Sequence, residues 1–282
     1  MTYKDLLAVF DGDPRSRDRL LIAADLAVRF DAHLVGLYVT TIPQLPPQPS
    51  YLGATLLDPM CHAFELESGK RAESMRLLFE DIVARHSLSA EWREATGYPA
   101  EVAAVHGRYA DLIVLGQCDA AANEAGGTPM RPEEVALLVG RPILVLPYAG
   151  HFAAIGRHVL IAWDAGREAT RAVNDALPLL AGAASVTVIA VDPRESAGGG
   201  HGAIPGADIA LHLARHGVAV RTERATSNGI GIGNTLLSRV NDLGADLLVM
   251  GAYGHSRLRE VLLGGVTRTI LESMTVPVLM AH

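Results

Sequence analysis

The chain repeats itself at a constant offset. Ala110-Asp111-Leu112 recurs as Ala245-Asp246-Leu247, Gly116 as Gly251 and Pro142 as Pro277, each pair displaced by the same number of residues. The two beginnings correspond as well, since LLAVFDGD and VLIAWDAG set Asp11 opposite Asp164. A duplicated chain has to fold as two similar halves, so the architecture of one is required of the other. In each half an apolar strand leads into helical spacing, Leu20, Leu21, Ala24 and Ala27 in one and Ala169, Val173, Ala176 and Leu177 in the other. A second strand follows, at 32–39 and at 185–191.

In the second half the pattern predicts strands at 158–163, 185–191, 218–224, 246–250 and 277–281. Helices are predicted at 167–181, 206–216, 233–243 and 266–274, and the first half repeats the scheme with its longest helix near 64–86. Strands alternating with helices imply an α/β fold, a parallel sheet with helices on both faces. The expected organisation is two tandem doubly wound domains, 1–149 and 150–282, meeting in the short linker YAGHFAAIG (148–156). The proline-rich stretch 41–50 and the glycine-rich stretch 193–206 take the same place after the second strand and read as long loops, lids or plain connections. Right-handed crossovers bring the loops after the first and fourth strands together at the carboxyl edge of the sheet, where open α/β sheets bind ligands.

One such loop has a composition of its own. The run DLLVMGAYGHSRLREVLLGGVTRTILESMTVP (246–277) is a short apolar strand, two glycines, a polar segment, a glycine pair and a helix with apolar residues at Val266, Ile270 and Met274. Glycines let a backbone approach a ligand closely. The free amides at a helix N-terminus suit an anion, and Thr267 in the first turn offers a hydroxyl. Tight turns between strand and helix are the other reading of the same glycines.

Gly251-x2-Gly254-x9-Gly264 resembles the G-2x-G-9x-G-(S/T) nucleotide-binding signature of the universal stress protein family. LLVMGAYG, LLGGVTRTIL and VPVLM are similar to the family's surroundings of that signature. Gly265 stands where the family has Ser or Thr, while Thr267 matches a second hydroxyl residue of ATP-binding members. The resemblance covers both halves, the first only in outline. It implies a five-stranded doubly wound sheet per domain, adenine nucleotide alpha-hydrolase-like, and two such domains in tandem members. It further implies ATP, with or without Mg2+, held by Asp164 at the ribose end, by the Val191 main chain at adenine, and by Gly251, Gly254, His255, Gly264, Gly265, Val266 and Thr267 around the phosphates. The edge strands PILVLPY and PVLMAH are expected to face each other in an intramolecular pseudo-dimer of the two halves, and such edges also admit a homodimer.

At the matching positions the first half has Asp119, Pro129, Met130 and Pro132 in place of Gly254, Gly264, Gly265 and Thr267. An acid repels phosphate and proline lacks the N–H that would cradle it. One nucleotide per chain is therefore the expectation. Asp164 has an alternative role as turn former or helix cap, and Trp163 could pack on a base or in the core. Arg257 and Arg259 read as a solvated helix face, or with His255 and Ser256 as phosphate neutralisers. His212 and His216 stand four apart, a metal-compatible spacing without a third ligand nearby; His201 has no evident partner.

A net charge of −7 argues against a broad nucleic-acid or anionic-membrane surface. No apolar run is long enough to span a bilayer, and MTYKDLLAVFDGD lacks the features of a signal peptide. Cys61 and Cys118 make neither a disulfide framework nor a metal spacing, so a reducing cytoplasm is expected. No P-loop, nucleophile elbow or metal clamp is visible, which leaves at most slow ATP hydrolysis. Two rivals to a regulatory nucleotide remain from the sequence, a nucleotide-free interaction or scaffold protein and a slow ATP hydrolase.

Overall fold

Five aliphatic runs bury their side chains almost completely and form the centre of each sheet. In β1 (Asp5–Phe10) and β4 (Leu112–Gly116), Leu6, Leu112, Ile113 and Val114 have no exposed surface. The same is true of Leu160 and Ile161 in β6 (His158–Ala162), of Leu247 to Val249 in β9 (Leu247–Gly251), and of Val278 to Met280 in β10 (Val278–Ala281). Strands covered on both faces need apolar residues at every position, which is why these runs do not alternate. Each fully buried aliphatic side chain contributes about 1.5–3 kcal/mol.

The computed structural model describes residues 2–13, 15–41, 53–118, 128–152, 154–193, 206–254 and 265–282, with only the backbone at 53–61, 64 and 65. Its contacts divide it into two units. The N-terminal unit, Tyr3–Val139, contains β1, α1 (Ser16–Phe30), β2 (His33–Thr40), α2 (Gly53–His86), β3 (Ala90–Thr96), α3 (Pro99–Gly107), β4 and α4 (Pro132–Val139). Its strands run β3-β2-β1-β4, all parallel, with Leu6 registered against Leu34 on one side and Leu112 on the other. The C-terminal unit, in the main Gly140–His282, contains β5 (Ile143–Leu146), β6, α5 (Arg167–Leu180), β7 (Ser185–Val191), α6 (Ala207–Arg215), β8 (Val220–Ala225), α7 (Ile232–Asp242), β9, α8 (Gly265–Ser273) and β10. Here the order is β5-β10-β9-β6-β7-β8. All these pairings are parallel except that of β5 with β10, where Val278 opposes Val145 and Met280 opposes Ile143. The division falls ahead of the 148–156 linker because β5 hydrogen-bonds to β10 and is grouped with it.

The helix stripes differ in detail from the sequence reading. Leu20, Ala23, Ala24 and Ala27 line the buried face of α1, whereas Leu21 is 42% exposed. The stripe follows the i, i+3, i+4, i+7 rule, and Leu21 lies one step off it. In α5 the face is Ala169, Ala172, Val173, Ala176, Leu179 and Leu180, with Leu177 only half-buried. The long helix of the first half begins at Gly53, earlier than the expected 64. No helix among the described residues is long and apolar enough to cross a membrane.

The duplication is visible in atomic detail. The Asp246 carboxylate accepts the amide N–H groups of Gly156, Arg157 and His158 at 2.9–3.1 Å, tying the start of β6 to the start of β9. Asp111 does the same for β1 and β4, accepting from Lys4 and Asp5 at 2.7 and 3.1 Å. A first-strand end has amides with no ladder partner, and a carboxylate satisfies several of them at once.

Candidate functional site at the crevice between β6 and β9

With β6 paired to β9 and with β7 on its other side, the strand order reverses direction at β6. The loops after β6 and β9 leave the sheet side by side at this switch point. Trp163, half-buried, follows β6 and donates its N–H to Ile189 O at 2.9 Å. The chain then turns through Ala165 at φ 58°, and Asp164 Oδ1 accepts the N–H of Gly166 at 2.8 Å. This Asx turn is the structural role anticipated for Asp164. The residue is nonetheless exposed, and its second oxygen, Oδ2, faces Gly254.

On the β9 side, Gly251 lies directly against the first turn of α5. A β-carbon there would stand 2.5 Å from the Ala169 amide nitrogen and 2.7 Å from the Glu168 carbonyl carbon, so only hydrogen fits. Beyond it, Ala252 is fully buried, its N–H bonded to Ala281 O at 2.9 Å and its carbonyl within 2.9 Å of His282 Nδ1. Tyr253 takes a left-handed φ of 60° and donates its N–H to Thr267 Oγ1 at 3.3 Å. Thr267 is 3% exposed, so its hydroxyl ties the glycine loop to the first turn of α8. The sequence reading gave that hydroxyl to a phosphate; in the structure its acceptor side serves Tyr253.

Gly254 is exposed at the mouth of the crevice. A β-carbon on it would be 3.3 Å from Asp164 Oδ2 and 3.3 Å from Glu168 Oε2. Gly265 opens α8 in free space, with its carbonyl accepting the Thr269 hydroxyl at 2.8 Å, and Val266 is half-buried beside it. His255 and Gly264, with Ser256, Arg257 and Arg259, lie outside the described residues, as do His201, Asp119 and most of the 41–50 and 193–206 stretches. Val191 occupies the last ladder position of β7, opposite Ala225.

Two residues of this region were not anticipated. The Glu168 side chain, 13% exposed and paired with Arg167 at 3.1 Å, is brought beside Asp164 by the first turn of α5. The available signal was an acid in the first helical turn, a position favoured by the helix dipole. Asp192, at φ 45°, accepts the Ser227 N–H at 3.1 Å and so joins the end of β7 to the loop after β8. The His212 and His216 rings lie 4.7 Å apart at a tilt of 56°, with His212 Nε2 3.3 Å from Asn174 Oδ1; among the described residues no group of three or more side chains could hold a metal ion.

The matching crevice of the N-terminal unit, between β1 and β4, has different chemistry. Arg19 is 3% exposed and pairs with Asp13, with Asp11 Oδ1 3.6 Å away. Burial pushes the Asp11 carboxyl up to about 6, partly offset by the Arg19 charge and reinforced by the Asp13 carboxylate beside it. Asp13 lies below the usual carboxylate range: burial opposes this, but the Arg19 charge and the hydrogen bonds from Asp11 and Arg19 outweigh it. Met130 is buried, and Pro132, at the first position of α4, stands where the other unit has Thr267.

Fold and crevice together define a doubly wound α/β protein with a glycine-lined switch point in its C-terminal unit. Residues 156–282, a little under half of the chain, match the Usp model, the Universal stress protein family. A curated universal stress protein of Synechocystis sp. is 26% identical over 191 residues, covering 60% of this chain and 57% of that protein. The match thus spans little more than half the length of that relative. Among solved structures, a universal stress protein from Archaeoglobus fulgidus DSM 4304 superposes with a TM-score of 0.73 at 16% identity, covering 98% of this chain and 95% of that one. A putative universal stress protein from Pseudomonas aeruginosa UCBPP-PA14 gives a TM-score of 0.54 at 14% identity, covering 98% and 92%. These likenesses show the α/β fold along the whole chain.

Proposed function

We propose that the C-terminal unit binds one adenine nucleotide, ATP, as a regulatory ligand in a stress response, and that the N-terminal unit is its structural partner. The observation that supports this reading best is Gly254, open at the crevice between β6 and β9 and bare of any side chain in front of Asp164. Any β-carbon at residue 254 would crowd the two carboxylate oxygens that face it, and the absent methyl leaves room for a ligand group. Asp164 is exposed with Oδ2 toward Gly254, which supports the ribose role implied for it by family resemblance. The α8 N-terminus, with Gly265 exposed, carries first-turn amides of the kind that suit phosphate.

The donor set also fits Mg2+. Glu168, whose Oε2 also faces Gly254, would hold it together with phosphate oxygens, and its charge would offset carboxylate repulsion against the phosphates. In this reading 1–149 and 150–282 are tandem domains of one family in the cytoplasm, facing each other as an intramolecular pseudo-dimer whose edge strands also permit a homodimer.

The test is calorimetric titration of ATP, with and without Mg2+, into wild type and Gly254→Asp. One site in wild type and none in the variant supports the reading. Two equivalent sites, or binding unaffected by the substitution, would overturn it, and no binding in wild type would favour a nucleotide-free scaffold.

A further inference from the structure

The N-terminal crevice contains an ion cluster that the proposed function does not use. It lies at the β1/β4 switch point, where the sheet of this unit reverses its order. Arg19 projects into it from the second turn of α1. Its guanidinium bonds to Val9 O at the end of β1 and to Asp13, lies 3.6 Å from Asp11 Oδ1, and sits 6.0 Å from the Phe10 ring centroid. On the β4 side it rests against Gly116. A β-carbon there would stand 2.9 Å from Arg19 Cζ and closer still to one terminal nitrogen.

The corresponding position of the C-terminal unit, counted from Asp11 and Asp164, is Ala172, fully buried. Gly251, the counterpart of Gly116, meets helix backbone instead of a side chain. One unit therefore keeps its switch point clear with an alanine and leaves its acid exposed. The other fills the same place with a long cation and turns its acids inward. The fit is not perfect: among the described residues, Asp11 Oδ1, Ser16 Oγ and Arg19 Nε are buried without a hydrogen-bond partner. Such atoms mark a polar recess rather than a sealed apolar core.

We propose that Arg19 is a built-in occupant of the N-terminal switch point, a guanidinium supplied by the chain itself in the recess formed by Val9 O, Asp13, Asp11 and Gly116. The recess is a guanidinium site by chemistry: two carboxylates and a carbonyl accept, and a glycine face gives the planar group room. The two acids neutralise the guanidinium, so the filled recess offers no unpaired cation to an anion. Arg19 thereby occupies the N-terminal switch point independently of whether the other unit holds a nucleotide.

Arg19→Ala opens the recess to an external guanidinium ion. Unfolding of the N-terminal unit is followed by Trp92, which packs within 5.9 Å of Phe10 and 5.3 Å of Phe79. About 50 mM guanidinium chloride is expected to raise the variant's midpoint by about 2–4 °C over sodium chloride of equal ionic strength. It should leave wild type unmoved or slightly lowered, and Asp13→Asn added to Arg19→Ala should abolish the gain. Equal responses to the two salts, or a gain that survives Asp13→Asn, would overturn the proposal. A second measurement covers the case in which Arg19→Ala does not fold. Gly116→Ala is expected to lower the midpoint by at least about 4 °C in wild type and by less than half of that alongside Arg19→Lys, whose slimmer ammonium can give way. Equal losses in both backgrounds would show that Gly116 does not serve the guanidinium.

Discussion

Asp164 and Glu168 converge on one point, each placing a carboxylate oxygen 3.3 Å from where a β-carbon of Gly254 would be. The two acids come from opposite sides of a strand–helix junction, one at the end of β6 and one in the first turn of α5. Their meeting makes Gly254 the most chemically exposed glycine of the crevice, and substitutions there act through charge.

Gly254→Asp adds a third carboxylate to this pair. Nucleotide affinity is expected to fall at least about tenfold, about 1.4 kcal/mol or more, with the larger effect in the absence of Mg2+. Gly254→Ala is expected to weaken binding less. Calorimetric titration at fixed ionic strength checks both.

Gly251→Ala acts through space instead. Its methyl would meet the Ala169 amide nitrogen at 2.5 Å, and main chain cannot swing aside as a side chain can. Destabilisation of the C-terminal unit by about 1–3 kcal/mol is expected from overpacking. Gly265→Ala, in open space at a helix start, should change stability by less than about 0.5 kcal/mol or raise it slightly. The protein has two tryptophans, Trp92 and Trp163, one in each unit. Urea unfolding in a Trp92→Phe background therefore reads the C-terminal unit alone.

The acid pair of the N-terminal unit makes its stability depend on pH. Asp11 rises from the usual 3.8 to about 6 in the folded chain. A raised carboxyl contributes stability that is complete below the unfolded value and lost as pH climbs through the folded one. Asp13, which is lowered, contributes stability that is present above the usual carboxylate value and lost only as pH falls below it, so it adds little slope at higher pH. Among the charged groups around the pair, Arg19 is buried, and the Tyr38 hydroxyl and the Arg71 side chain flank Gly12. From pH 4 to 7 the unit should lose roughly 2 kcal/mol, discounted for the fifth of the Asp11 side chain that is still exposed. Asp11→Asn should flatten that slope. A wild-type stability that rises over this window would contradict the assignment.

The paired strand-start acids test the duplication energetically. Asp246→Ala strips an acceptor from three amides and is expected to destabilise the C-terminal unit by about 1–3 kcal/mol. Asp111→Ala removes it from two and should affect the N-terminal unit by about 1–2 kcal/mol. Each loss should show in the tryptophan of its own unit.

Much of this architecture could be read from local pattern. The repeat of Ala110-Asp111-Leu112 as Ala245-Asp246-Leu247 announced two halves, and the apolar runs that became β6, β7 and β9 were placed within a residue or so. Helix α8 was legible from Ile270 and Met274, both buried. Periodicity encodes such elements because a strand or helix turns its side chains by a fixed step, whatever it later packs against. The crevice was legible in the same indirect way, from Gly251, Gly254 and the rule that adjacent strands leave their loops together.

What the tertiary structure alone decided concerns groups far apart in the chain or facing directions that spacing does not encode. Glu168 became part of the crevice only because the first turn of α5 packs on Gly251 and points that side chain at Gly254. Thr267 accepts from Tyr253 because a left-handed turn aims the Tyr253 amide at it, which leaves the hydroxyl's own proton to donate. No spacing marks Arg19, whose guanidinium enters the switch point because its face of α1 packs toward Val9 and Gly116. β5 and β10 were expected to face each other by resemblance, but the antiparallel sense and register of their pairing are ordered by no local signal. By itself the sequence determined which elements form and that they form twice, because those are short-range preferences. Which unit keeps an open crevice and which fills it with its own arginine was left to packing, where one long side chain in place of alanine reverses the outcome.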